Sequence, residues 1–220
     1  MSGIRQASHY NTLILLFFLF LFGVSASALG APSCAEPNLA ANVTTDTSFA
    51  GEVYIDRQIS IHKGATLTLE AGTQVTMCNA DAAIFVGKLF DGGGGLVAIG
   101  TEQDPIVFNA LEPTVKWDRL FFNWEILPNS TLQHVILNDG GGNDPAKKNA
   151  ALYIGFYIDN AAAVPVIDRV SINNSGSNGL IVEQNAENDP TAASISNITI
   201  SGSAAAAVVS DAGAIGGFSG

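Results

Sequence analysis

Asp168 and Arg169 form the one adjacent acid and base inside a short repeat of this 220-residue chain. Lyase chemistry asks for a base of lowered pKa beside carboxylates, and hydrolysis for two carboxylates facing each other across the scissile bond. Asp139, Asp144, Asp168, Glu183 and Asp189 supply carboxylates, but no two of them are neighbours in sequence. The following copy of the repeat carries Ser196-Asn197 where Asp168-Arg169 stands. The catalytic candidates are therefore Asp168, Arg169 and Asp144, and the expectation for Asp168 and Arg169 is a solvated ion pair.

Metal chemistry has a narrower footing. Calcium-binding repeats need Gly-Gly-x-Gly-x-Asp, yet Gly92-Gly93-Gly94-Gly95 runs into Leu96-Val97, and Gly140-Gly141-Gly142 into Asn143-Asp144. One calcium on the oxygens of Asp139, Asn143 and Asp144 is the metal reading the spacing leaves open. His62 and His134 lie far apart and read as surface or hydrogen-bonded residues in place of zinc ligands. No other cofactor is expected. For ligand binding, Trp117, Phe121, Trp124, Tyr153, Phe156 and Tyr157 gather in neighbouring segments. Trp117 is assigned to the core, where it opens a Trp117-x-x-Leu120-x-Phe122 pattern, and Trp124, Tyr153 and Tyr157 are the candidates for an exposed stacking face.

The elements that must position these residues are short strands. The pattern Ile167-x-x-Val170-x-Ile172 returns as Ile195-x-x-Ile198-x-Ile200, and Leu180 to Val182 returns at Val208, both after 28 residues. An earlier copy runs Leu132-x-x-Val135-x-Leu137, then Leu152-x-Ile154. From Val53 onward apolar triplets alternate with polar residues, Gly interrupts every few residues, and no helical periodicity is sustained. A unit of two or three short strands cannot bury its apolar face alone, so stacked copies must supply one another's core. Two long interruptions, Asn138 to Asn149 and Glu183 to Thr191, leave the repeat, and loops on a rigid scaffold are where function is expected.

The N-terminus reads as an export signal: Arg5, the apolar run Leu13 to Phe22, then Ala26-Ser27-Ala28, with cleavage expected before Leu29. The apolar stretch to Val24 is about twelve residues, short of the roughly 20 a membrane span needs, so the mature chain is expected to have no transmembrane segment. The destination is extracellular, cell-surface or periplasmic. A formal charge of −11 with nine Lys and Arg argues against nucleic acid as a partner. Cys34 and Cys78 are the two cysteines, and in an oxidising compartment a disulfide between them would close a loop worth roughly 4 kcal/mol. Two unpaired thiols are the alternative. Asn42-Val43-Thr44 and Asn197-Ile198-Thr199 are glycosylation sequons for a pathway that uses them.

Several runs together are specific enough to carry a resemblance. They are VTTDTSF (Val43 to Phe49), GATLTLEAGTQV (Gly64 to Val75), AIGTEQDPIVF (Ala98 to Phe108) and WDRLFF (Trp117 to Phe122). The chain resembles secreted bacterial right-handed parallel β-helix proteins of pectin-lyase-like architecture and non-catalytic surface type. The resemblance implies an all-β, right-handed parallel β-helix, a solenoid of roughly six to seven coils. The division is residues 1–28 as signal peptide, 29–52 as N-terminal linker and cap, and 53–220 as the β-helix, with no cap after Gly220 and a truncated final coil. The Gly-His-Gly arrangement of pectin-hydrolysing relatives is missing. The expected function is a secreted or surface scaffold whose partner is polysaccharide or another protein. The alternatives are a polysaccharide lyase or hydrolase, and the N-terminal part of a larger surface protein or adhesin.

Overall fold

The alternation of apolar and polar residues produces strands that turn most of their apolar side chains to one face, and the strands stack in parallel. A computed structural model of the chain describes residues 33–123, 125–144, 148–155, 165–183, 194–210 and 218–219. Its strands are β1 (Thr47–Phe49), β2 (Glu52–Ile55), β3 (Gln58–Ile61), β4 (Ala65–Leu69), β5 (Gln74–Met77), β6 (Ala83–Val86), β7 (Gly94–Ile99) and β8 (Ile106–Ala110). They continue as β9 (Leu120–Asn123), β10 (Thr131–Asn138), β11 (Ala150–Gly155), β12 (Val166–Asn173), β13 (Asn178–Val182), β14 (Ser194–Ser201), β15 (Val208–Ser210) and β16 (Phe218–Ser219). No helix occurs among the described residues, and every strand-to-strand pairing is parallel.

One sheet runs β1-β4-β7-β10-β12-β14-β16, with β2-β5-β8 joining it through β10; the other runs β3-β6-β9-β11-β13-β15. Each strand thus pairs with the strand one turn of chain later, an all-β arrangement consistent with a parallel β-helix. The 28-residue offset is literal register, with Ile167 opposite Ile195 and Leu180 opposite Val208. The chain before β2 already pairs, since Thr47–Phe49 lie against Leu67–Leu69 and Val43 bridges Ile61.

The core is a set of columns with one residue from each turn of chain. Val53, Val75, Phe108, Leu137, Ile172 and Ile200 stand in register, as do Ile59, Ile84, Leu120, Leu152, Leu180 and Val208. Apart from Ile200 and Val208, these side chains are fully buried. At about 25 cal/mol per Å² of apolar surface removed from water, such columns dominate the stability.

Leu120 and Phe122 belong to the second set of columns: Leu120 pairs with Ile84 and Leu152, and Phe122 with Val86 and Ile154. They do not copy the I-x-x-V-x-I strand, as the sequence pattern suggested. The preceding turn makes that strand in two pieces, β7 and β8, which meet the two halves of β10. Trp117 is fully buried, as expected, beside Phe108 at 6.4 Å between centroids.

The spacing of three in I-x-x-V-x-I is a bend. His134, Arg169 and Asn197 occupy its second x and have φ of 50°, 51° and 53°. This left-handed conformation turns the chain between two sheet segments without a loop, at a cost of roughly 1–2 kcal/mol per residue. A second such position follows β10, β12 and β14, at Asp139, Asn174 and Gly202, with φ of 61°, 56° and 68°.

Candidate functional site

Asp168 and Asp139, singled out in sequence, have partners in adjacent turns, whereas Asp189 lies outside the described residues. At the bend, Gln133, Asp168 and Ser196 are in register on the outer side. The Asp168 carboxylate accepts Ser196 Oγ at 2.7 Å and Asn197 Nδ2 at 2.8 Å from the next turn, and pairs with its neighbour Arg169. Donation by Asn197 and Ser196 holds the Asp168 carboxyl below the usual carboxylate range, helped by the charges of Arg169 and His134 and opposed by partial burial. A general acid needs the opposite shift. Arg169 is half exposed and bound to that carboxylate.

Residues 139–143, in the first half of the 138–149 loop, fold over the corner that carries Lys116 and Trp117. Gly142 donates its N–H to Trp117 O at 2.9 Å, and Gly141 to Asp118 O at 2.8 Å. Asp139 is buried, and its Oδ1 receives both Lys116 Nζ, at 2.7 Å, and Asn174 Nδ2. Asn143 and Asp144 are exposed, and Asn143 Oδ1 accepts the Lys116 backbone N–H at 3.3 Å. The cation beside Asp139 is thus the Lys116 ammonium. Among the described residues no group of three or more His, Cys, Asp or Glu side chains is placed to hold a metal. His62 Nδ1 lies 2.8 Å from Asp91 Oδ2 in another corner.

Aromatic residues line the outer side of the β3-β6-β9-β11 sheet. Phe85 meets Phe121 edge to face at 5.3 Å, and Phe121 stacks on Tyr153 at 4.6 Å. Arg119 lies over both rings, 5.8 Å from Phe121 and 5.9 Å from Tyr153, while its Nε pairs with Asp118. Tyr153 is 7% exposed, so its ring is part of the wall. Trp124 and Tyr157 lie outside the described residues, as does the second long interruption beyond Glu183. Glu183 itself pairs with Lys148.

Stacking places outward Asn residues of successive turns in line, as the repeat leads one to expect, and the residues that form the ladder are ones the sequence left unnamed. Asn138 Nδ2 donates to Asn109 Oδ1 at 2.8 Å, Asn173 Nδ2 to Asn138 Oδ1 at 2.9 Å, and Ser201 Oγ to Asn173 Oδ1 at 2.8 Å. The signal was present: Asn138-Asp139, Asn173-Asn174 and Ser201-Gly202 each follow the last apolar residue of their strand. Cys34 and Cys78 form a disulfide. No helix among the described residues is long and apolar enough to cross a membrane. No protein-family model, curated protein or solved structure matches the chain.

Proposed function

We propose that this chain is an exported, non-catalytic scaffold: a right-handed parallel β-helix of roughly six to seven coils, pectin-lyase-like in architecture. Its outer face contacts polysaccharide or another protein. The observation that carries this reading is the use made of the acids. Asp168 is committed to Ser196 and Asn197 of the next turn, and Asp139 to Lys116 and Asn174 of the turns on either side. Carboxylates spent on neighbouring turns hold a stack together, and Asp168, held below the usual carboxylate range by those donors, is poorly disposed to donate a proton to a substrate.

What the wall displays supports polysaccharide as the partner. Asn109, Asn138, Asn173 and Ser201, with Gln133, Asp168 and Ser196, put amides, hydroxyls and a carboxylate in two columns that run over four and three turns. A ligand that repeats its own hydroxyls along a chain, as a polysaccharide does, matches such columns. The Cys34–Cys78 disulfide fits an oxidising compartment, and export through residues 1–28 belongs to the same proposal.

The test is to incubate the mature chain with acidic and neutral glycans. Retention by affinity electrophoresis is measured together with release of reducing ends or unsaturated products. Retention without turnover is expected. Turnover that is lost in Asp168→Asn or Asp144→Asn would overturn the scaffold reading in favour of a lyase or hydrolase.

A further inference from the structure

The corner built by Lys116, Asp139 and Asn174 has the layout of a bond-forming triad. Asp139 belongs to the turn between the other two, and its Oδ1 receives both the Lys116 ammonium, at 2.7 Å, and the Asn174 carboxamide. An amine and an amide held on one carboxylate oxygen are an attacking group, an acyl group and a proton carrier already gathered. We propose that Lys116 and Asn174 join in an intramolecular isopeptide bond, with Asp139 as the proton carrier.

The reaction balances without any co-reactant. The Lys116 ammonium passes a proton to the Asp139 carboxylate across their contact, leaving a neutral amine. Nζ attacks Cγ of Asn174, the Cγ–Nδ2 bond breaks, and Asp139 returns the proton to the departing nitrogen. The second proton lost by Nζ also goes to that nitrogen, so ammonium leaves and the carboxylate is regenerated. A secondary amide forms and nothing is oxidised or reduced.

Positioning is the main contribution the fold makes. Holding an amine and an amide on one carboxylate oxygen replaces an encounter in solution with a step inside one molecule. Asp139 is fixed by Trp117 N–H donating to its carbonyl at 3.2 Å and by its own N–H donating to Asn173 O at 3.0 Å. Asp139 and Asn174 share the left-handed backbone conformation, in register. Lys116 is directed across two turns: a methyl added at Gly176 would lie 2.7 Å from Lys116 Cγ, so its stem runs over the corner that carries Asn174. Its ammonium has a second acceptor in Pro113 O at 3.0 Å. The Lys116 and Asp139 side chains are 14% and 11% exposed, and the neighbouring Trp117 ring is fully buried.

The test is the mass of the unmodified chain. The purified protein is reduced, denatured and measured intact, its N-terminus fixed by peptide mapping. The expected mass is one ammonia below that of the sequence, with a digest yielding one branched peptide that joins Lys116 to Asn174. Asp139→Ala and Lys116→Arg chains, where folded by circular dichroism, should have the full mass. A full-mass wild-type chain with unlinked Lys116 would overturn the proposal, whether or not the variants fold. So would a chain lighter by one water with Lys116 joined to Asp139. Glycan retention plays no part in this measurement, so the bond and the scaffold function stand or fall separately.

Discussion

Phe121 lies flat on Tyr153, one turn of chain apart, with centroids separated by 4.6 Å and ring planes inclined by 27°. The two rings bring their turns together on the outer side of the sheet, where no core column reaches. Replacing Phe121 by Ala should cost about 2–3 kcal/mol, less than a fully buried ring because Phe121 is partly exposed. A double-mutant cycle with Tyr153→Ala, followed by urea unfolding, should give a coupling of about 1 kcal/mol. Strict additivity would mean that the rings are neighbours without being partners.

Asp168 sets a pH dependence whose direction is fixed by its partners. Its carboxyl is lower in the folded chain than the ordinary value of about 3.9. The stabilisation is therefore complete above that ordinary value and is lost as pH falls through the lower folded value. Asp56 and Asp91 are also held low, chiefly by hydrogen bonds from Arg57 and Lys88, and they titrate in the same acid window. Asp168→Asn should therefore flatten part of the stability loss below about pH 4, as read from urea midpoints at successive pH values. An unchanged slope would show that Asp168 does not feel Asn197 and Ser196 in solution.

Two glycines separate crowding from backbone conformation. A Cβ at Gly94 would lie 1.9 Å from Ile61 O, the oxygen that accepts the Gly87 N–H at 3.0 Å. Gly94→Ala should cost about 3 kcal/mol or more, because main chain must move. Gly51 has φ of +76° and nothing within 4 Å of the added Cβ. Gly51→Ala should cost about 1 kcal/mol, for the left-handed conformation alone. Thermal unfolding of the two variants side by side measures the difference.

What the residues disclose depends on whether the information is local. The offset of 28 became register because each turn sends one apolar side chain inward per column, and Ile167 and Ile195 carry the same signal. The bend inside I-x-x-V-x-I stayed hidden. Arg169 carries no residue-type mark of a left-handed backbone, and His134 and Asn197 carry only the weak one of types enriched there. Trp117-x-x-Leu120-x-Phe122 misled for a related reason: alternation tells which side chains point inward but not which sheet holds the strand. Lys116, Asp139 and Asn174 lie in three successive turns and meet only through stacking register. The 138–149 loop, by contrast, was legible as an expansion of the turn that begins at Asn173, and Asn138 is in register with Asn173.

Cys34 and Cys78, 44 residues apart, are joined with Cα atoms 5.5 Å from each other. The bond ties the start of the described chain to the end of β5, and Cys78 N–H already donates to Ile55 O at 2.8 Å there. Weaker contacts also hold the same segment: Leu39 N–H donates to Tyr54 O, and Asn38 accepts the Tyr54 N–H while donating to Glu52 O. Closing a loop of that length in the unfolded chain is worth roughly 4 kcal/mol on the chain-entropy model. The Cys34→Ser, Cys78→Ser double variant should therefore unfold at lower urea, by about that free energy, with the parallel strands of the native chain still formed by circular dichroism. Removing the cross-link also expands the unfolded state, so the denaturant slope should rise as the midpoint falls. A midpoint unchanged from wild type would mean that the hydrogen bonds of Asn38 and Leu39 hold the segment without the sulfurs.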